Sequence, residues 1–255
     1  MKFKKTQPKP QNPGKRPLIN DFKVFKKDEE FDSLRKSGKF STWSGVLLFC
    51  RGEKGEEEEF EYKKYTFNVE RQHRKKCPQI LLVLGEYGLS IPGGGVNEGE
   101  SFRDAAVRET REEVLKGWEE SPETSFLSNF DWHLNVRCHK KKHLACCLYK
   151  ELPREVYDQM RGAVRVEYEE SLEAVSVPIF FSSDWPRYKD FRDVLKNLCA
   201  SFKRNCNRKM ILYGLLKSKI LNVTDVKKFW PESDEDCRKW VPDVLQLLRT
   251  EQNLF

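Results

Sequence analysis

The stretch Gly93–Val114, GGGVNEGESFRDAAVRETREEV, decides how the rest of the chain is read. It opens on three consecutive glycines, which let the backbone bend where a side chain would clash and pass close to a phosphate or a metal ion. Ser101 stands where a helix N-cap is wanted and Asp104 follows three residues later, so this capping-box-like pair predicts a helix from Ser101 to about Leu115. On that helix Glu109, Glu112 and Glu113 are spaced by three and four residues, which puts their carboxylates on one face. Like charges at this spacing weaken a bare helix by roughly a few tenths of a kcal/mol per pair, and a cation among them reverses that sign. All-oxygen ligation suits a hard ion, Mg²⁺ or Mn²⁺, which polarises a phosphoryl group and yields a nucleophile from water near neutral pH. Beside the carboxylates, Ala106, Thr110 and Val114 form a row that can pack on a sheet, and the small Ala105 and Ala106 let the helix approach closely.

Outward from this centre, WSGVLLFC from Trp43 and QILLVLGE over 79–86 read as buried strands. Between them the acidic cluster Glu56 to Glu59 is expected to be a solvated loop, and residues 60–76, mixing aromatic and basic residues, an extended hairpin insertion. Further strands are expected at 130–137 and 143–151, joined by a lysine-rich turn, and at 172–180. Helices are expected at 153–160, 186–202, 206–220 and 234–250. No internal repeat is visible.

With 255 residues the chain has room for one ordinary domain plus extensions. The charged fraction of 34% against 38% hydrophobic residues predicts long solvated faces around a compact centre, and a net charge of +7 mildly favours polyanionic partners. Residues 1–17 carry six basic residues, four prolines and no acid, a composition that cannot form a core. A flexible basic tail is expected there, touching RNA, serving nuclear import, or simply keeping the chain soluble. The eight cysteines (Cys50, Cys77, Cys138, Cys146, Cys147, Cys199, Cys206 and Cys237) contain no Cys-x-x-Cys pair, so a structural zinc site is not expected. Adjacent Cys146 and Cys147 should face opposite sides of a strand as free thiols, as in a reduced nuclear or cytoplasmic protein. Neither a signal peptide nor a membrane span is expected.

The 93–116 stretch resembles the Nudix box, G-x5-E-x7-R-E-U-x-E-E-x-G-U, with Gly94, Glu100, Arg108, Glu109, Glu112 and Glu113 in register. Three positions depart from it: Thr110 and Lys116 replace aliphatic residues, and Leu115 replaces the last glycine, with Gly117 two residues late and able to close one extra half-turn. The resemblance implies an α/β fold, the Nudix α/β/α sandwich with a mixed sheet between helices, over residues 40–221, followed by a helical C-terminal extension over 222–255. It implies Mg²⁺- or Mn²⁺-dependent hydrolysis of a nucleoside diphosphate linkage. Glu109, Glu112 and Glu113 would be metal ligands, with Gly94 lending its backbone, and Arg108 and Glu100 would pair to hold the helix in place. Nudix folds that bind without turnover also exist, so a non-catalytic RNA-binding module is a competing expectation.

The order of segments around the box is similar to that of the branch decapping small nucleolar RNA, notably HLACCLYKE, the short helix after it, Leu172-Glu173 and Ser201-Phe202. That likeness implies a capped RNA 5′ end as substrate and a nuclear, even nucleolar, location; free deaminated purine nucleotides or nucleoside diphosphate sugars are the alternative. It also makes Glu173 a candidate further metal ligand, with Glu169 and Glu170 as alternatives. Gly45, and Gly85 or Glu86, stand where the branch has base-binding histidine and arginine, so base preference does not carry over. From residue type alone, Trp43, Tyr87, Phe126 and Trp132 are candidate base-stacking groups, and Lys203, Arg204, Arg208 and Lys209 a candidate RNA-backbone cluster, with Lys140, Lys141 and Lys142 a weaker one. A homodimer is compatible with these readings.

Overall fold

In the computed structural model, the described residues are 22–52, 57–60, 72–75, 78–85, 88–115, 127–138, 142–163, 171–179, 195, 204–229 and 241–252. The elements are β1 (Phe22–Phe25), α1 (Asp28–Lys36), β2 (Ser41–Cys50), β3 (Glu57–Phe60), β4 (Gln72–Lys75), β5 (Gln79–Gly85), β6 (Gly88–Ser90) and β7 (Gly93–Gly95). There follow α2 (Phe102–Glu113), β8 (Trp132–Cys138), β9 (His143–Glu151), α3 (Arg154–Ala163), β10 (Ser171–Pro178), α4 (Arg204–Lys217), α5 (Val223–Phe229) and α6 (Val241–Gln252). Among the described residues no helix is long and apolar enough to cross a membrane.

The sheet is mixed, in the order β1-β8-β9-β2-β5-β10, with β6 on β5 and β7 on β2. Only β2 and β9 run parallel among the described pairings, from Ser41↔His143 to Phe49↔Glu151. Strand β2 is the spine. Along its other edge it pairs first with β7, Trp43 to Gly45 against Gly95 to Gly93, and then with β5 at Phe49 and Cys50.

Both faces of the sheet are covered, and the period of two sorts the side chains between them. Leu47 and Phe49 of β2, Ile80 and Leu82 of β5, and Cys147 and Tyr149 of β9 pack with Met210, Tyr213, Val244 and Leu248 of α4 and α6. Their sequence neighbours Val46, Leu48, Leu81, Val83, Cys146 and Leu148 pack with Phe31 of α1, Phe102 and Ala106 of α2, and Tyr157 and Met160 of α3. The chain therefore has an α/β/α sandwich built on a mixed sheet, with C-terminal helices forming one of its two outer layers. Cys146 and Cys147 are free and buried, one on each face. Burial pushes both thiols up, that of Cys147 to about 12, so neither is a reactive thiolate at neutral pH.

Several expectations are corrected. The sandwich does not start at residue 40: β1 pairs with β8 from Phe22↔Cys138 to Phe25↔Asn135, and Phe31 of α1 is 1% exposed in the core. Four-residue β1 is too short to announce itself by alternation, and α1 carries one buried residue. Helices beyond 222 are present as expected, and Val226, Val241 and Val244 of them belong to the core. The acidic cluster is not a loop over its whole length, because Glu57 to Phe60 form β3, paired with β4. Glu57, Glu58 and Glu59 are in register with Lys75, Arg74 and His73. The thiols are not all free: Cys138 at the end of β8 and Cys206 in the first turn of α4 form a disulfide across 68 residues of sequence, a pairing set by topology and invisible in spacing. The expected tail over 1–17, and the helix over 186–202 apart from Leu195, lie outside the described residues.

One glycine reports how tightly the second layer is seated. Gly214 of α4 faces the ring of fully buried Tyr149, whose hydroxyl donates to the Met210 carbonyl at 2.9 Å, and a Cβ at Gly214 would lie 2.2 Å from Tyr149 Cε1. Overpacking costs about 1–3 kcal/mol, against a helix-propensity gain of about 1 kcal/mol. Gly214→Ala is therefore expected to lower Tm by about 2–4 °C in a thermal melt; an unchanged or raised Tm would show that this interface is loose.

Candidate active site at the glycine turn

Helix α2 begins as its sequence demands. Ser101 is the N-cap, its hydroxyl accepting from Asp104 N at 3.0 Å and donating to Asp104 Oδ2 at 2.6 Å. Ala105, Ala106, Thr110 and Val114 are wholly buried, so one stripe of the helix lies flat on the sheet. Thr110 replaces an aliphatic residue without leaving a bare hydroxyl, since its Oγ1 donates to Ala106 O at 2.7 Å. The helix stops at Glu113, short of Leu115, and the extra half-turn is not formed. Val114 and Leu115 both turn into the core at 0% exposure, and Leu115 N still donates to Thr110 O at 3.1 Å. Burial of Leu115 explains why the position can do without glycine.

The opposite stripe carries the charged residues, and Arg108 organises them. Its Nε and Nη2 donate to Glu100 Oε1 and Oε2 at 2.9 and 3.1 Å, and Nη2 also donates to Gly95 O at 3.0 Å. Its Nη1 donates to Glu109 Oε1 at 2.7 Å and to Glu112 Oε2 at 3.2 Å. Glu100 is held from the other side by Asn97 N, at 2.9 Å from Oε2. The hydrogen bond from Arg108 keeps the Glu100 carboxyl below the usual carboxylate range, and the same bond raises the pKa of Arg108. The expected Arg108–Glu100 pairing is present.

Glu109 is set apart by dehydration. Burial pushes its pKa up, with Arg108 pulling the other way. Its carboxylate lies against Gly94: a Cβ there would be 2.3 Å from Glu109 Oε1 and 2.5 Å from Oε2. Gly93 donates its N–H to Glu113 Oε2 at 2.8 Å. The turn glycines and two of the three acids thus meet directly.

These residues fit a hard divalent ion. The donors are all oxygen, they share one helix face, and bare backbone at Gly94 leaves Glu109 the space it occupies. Among the described residues no three acidic, histidine or cysteine side chains are gathered at ligand spacing, because Arg108 engages Glu109 and Glu112 while Glu113 turns to Gly93. Glu173 sits on β10 opposite Leu84, just after a register shift, with its side chain outside the described residues.

The expected base and RNA contacts fare differently. Trp43 is 3% exposed and lies beneath Gly45 and Gly93, where it fills the space their side chains would need, so it cannot stack a base from solvent. Trp132 is already stacked on Tyr149, with ring centroids 3.6 Å apart, and Lys217 Nζ lies 4.6 Å from its centroid. Arg208 and Lys209 are each 6% exposed: Arg208 donates to Leu195 O and Lys209 pairs with Asp243 Oδ2. They tie helices together rather than face a phosphate backbone, because α4 is a layer of the sandwich and presents its middle to other protein. Lys203, Tyr87, Phe126, Lys140 and Lys141 lie outside the described residues, as does the side chain of Arg204. Sequence reasoning missed Arg35, which donates to the backbone oxygen of Glu100 from α1; a helix with one buried residue gives no hint of reaching the box.

Residues 67–183 match the model of the NUDIX domain, a span that contains the glycine turn and all of α2. Over that span the chain is similar to Nudix domains. Solved structures similar to it include a MutT/nudix family protein from Enterococcus faecalis, at 15% identity and TM-score 0.35, covering 63% of this chain and 59% of that one. A second, a mutT/nudix family protein from Listeria innocua, is 16% identical at TM-score 0.35, covering 71% of this chain and 98% of that one. The chain thus spans 59% of the length of the first of these. No curated relative matches it.

If Gly94 exists to seat Glu109, then Gly94→Ala should displace that carboxylate while leaving the core intact. Calorimetric titration with Mn²⁺ is expected to show affinity weakened about 10–100-fold with an unchanged circular dichroism spectrum. Equal affinity in variant and parent would remove Glu109 from the ligand set.

Proposed function

We propose that the Nudix domain of this chain hydrolyses a nucleoside diphosphate linkage with the help of Mg²⁺ or Mn²⁺. One observation carries the reading: a helix whose buried stripe lies on the sheet presents Glu109, Glu112 and Glu113 beside a glycine turn, and Arg108 ties that helix to Glu100 and Gly95 O. Glu109, Glu112 and Glu113 would hold the ion with backbone near Gly94, and Glu173 is a further candidate. When bound, the ion would lower the pKa of water and neutralise phosphate charge. The protein's own part is positional. Arg108 and Glu100 fix the helix against the turn, Gly93 N–H orients Glu113, and Glu112, the most exposed of the residues Arg108 holds at 45% of its side chain, is our candidate to accept a proton from water.

For substrate, the first reading is a capped RNA 5′ end with release of a nucleoside diphosphate, supported by the basic composition of residues 1–17 and the net charge of +7. The burial of Arg208 and Lys209 favours a second reading, a free nucleotide, because it removes half of the expected RNA-facing cluster.

Purified chain with Mn²⁺ or Mg²⁺ should be assayed against labelled capped RNA, inosine and xanthosine nucleotides, and nucleoside diphosphate sugars. Turnover of at least one is expected, with Glu112→Gln lowering kcat about 10²–10⁴-fold without changing Tm. Faster turnover of free nucleotides than of capped RNA would decide for the second reading. Equal RNA binding by parent and variant, with neither cleaving any substrate, would make the domain a binding module.

A further inference from the structure

We infer that Arg35 of α1 is a positioning residue for the acids of α2, acting through the backbone oxygen of Glu100. Its guanidinium donates to that oxygen, while Arg108 holds the carboxylate of the same residue. The inference rests on the reading of Glu109, Glu112 and Glu113 as ligands of a divalent ion. It deepens that reading by naming a residue outside the matched span of 67–183 on which their arrangement depends.

The loop before α2 needs such a contact. Asn97, Glu98 and Gly99 are exposed and line a cleft between the loop and α1, so packing does not hold them on that side. Two hydrogen bonds within the loop, Glu100 N to Asn97 O at 3.2 Å and Asn97 N to Glu100 Oε2 at 2.9 Å, fix its curl but not its place in the molecule. Gly99, at φ +78°, adds no side chain to brace it. Among the described residues, the side chains that hydrogen-bond residues 97–100 from other elements are Arg108 of α2 and Arg35 of α1. Without Arg35 the loop hangs from Arg108 alone.

Arg35 is itself well seated. It follows Phe31 by one helical turn and so shares its face of α1. Phe31 is buried, its ring centroid 4.8 Å from that of Phe102, and the Arg35 guanidinium lies 5.1 Å from the same Phe102 ring. Phe102 is the first residue of α2, so α1 leans on the start of the helix that carries the acids. A planar guanidinium can lie over a ring and still donate to a carbonyl.

The consequence follows from where the donors of Arg108 go. Its Nε and Nη2 engage Glu100, and its Nη1 is shared between Glu109 and Glu112. A loop that swings into the cleft takes the Glu100 carboxylate with it. The donors left behind turn to the nearest carboxylates, Glu109 and Glu112, and a guanidinium bound there competes with a cation. Arg35 therefore keeps Arg108 engaged on the loop and the acids open to the ion.

Calorimetric titration of the full-length chain with Mn²⁺ tests this without any substrate. Arg35→Ala is expected to weaken Mn²⁺ affinity about tenfold or more, and to lower kcat with KM little changed on whichever nucleotide or capped RNA the parent cleaves. Arg35→Lys, which restores a donor and a charge, should recover part of both losses. Gly214→Ala, on the opposite layer, controls for lost stability: it should lower Tm and leave Mn²⁺ affinity unchanged. Should Arg35→Ala fail to fold, Arg35→Met keeps the stem over Phe102 without its donors and should show the same loss. Three results would overturn the inference: equal affinity in parent and Arg35 variants, an equal loss in Gly214→Ala, or no recovery in Arg35→Lys. The first of these leaves the metal reading standing, whereas a parent that binds no Mn²⁺ sinks both. Weakened binding in the Arg35 variants of a parent that cleaves nothing would support the inference and sink the catalytic reading.

Discussion

The guanidinium of Arg108 is the contact on which the site depends. It places all five of its N–H donors, two on Glu100, one each on Glu109 and Glu112, and one on Gly95 O. No other residue type could do this: lysine has three donors on a point charge, and its amine cannot span a carboxylate in the loop and two on the helix at once. The planar fork converts three mutually repelling carboxylates into a structure that holds the loop against the helix. At 30% side-chain exposure Arg108 is only partly shielded, so the network is worth more for the geometry it imposes than for stability, where exposed pairs contribute about 0–1 kcal/mol each.

That geometry needs a second constraint, which is steric. The turn sits where β7 pairs with β2, Gly95 to Gly93 facing Trp43 to Gly45. Below the strands the Trp43 ring fills the layer, and above Gly94 lies the Glu109 carboxylate. Side chains are missing on both strands at the point where an indole must fit beneath and an acid above. The core and the site are therefore not independent: Trp43 supports from below the same backbone that receives Glu109 from above. This reassigns Trp43 from a ligand-facing aromatic to a structural one, and burial is what distinguishes the two roles.

How much of this was legible in the sequence follows from the range of the interactions involved. The box helix, its Ser101 cap, its buried Ala106–Thr110–Val114 row and the Arg108–Glu100 pair are local or set by fixed spacing, and they read directly. Strands β2, β5 and β9 were legible because long apolar runs buried on both faces leave few alternatives. What escaped were contacts made by topology: β1 adding to the far edge of the sheet, Arg35 reaching the Glu100 carbonyl from α1, and Cys138 meeting Cys206. The basic run at 203–209 misled for a related reason. Charge density in sequence says nothing about which turns of a helix face protein, and Arg208 and Lys209 turned inward because each found a protein acceptor there, the carbonyl of Leu195 and the carboxylate of Asp243.

The box loop is gripped from two sides, and this bears on how the domain would meet a substrate. On one side Arg108 holds the Glu100 carboxylate; on the other Arg35 holds the Glu100 backbone oxygen. A single residue is thus shared between α2 and a helix that precedes the matched span, so α1 and α2 both hold the loop. The same α1 supplies Asp28 to Asn135 and His133 across the cleft. The route from α1 to the carboxylates is therefore short and made of hydrogen bonds and ion pairs, from Arg35 to the Glu100 backbone and from the Glu100 carboxylate through Arg108 to Glu109 and Glu112.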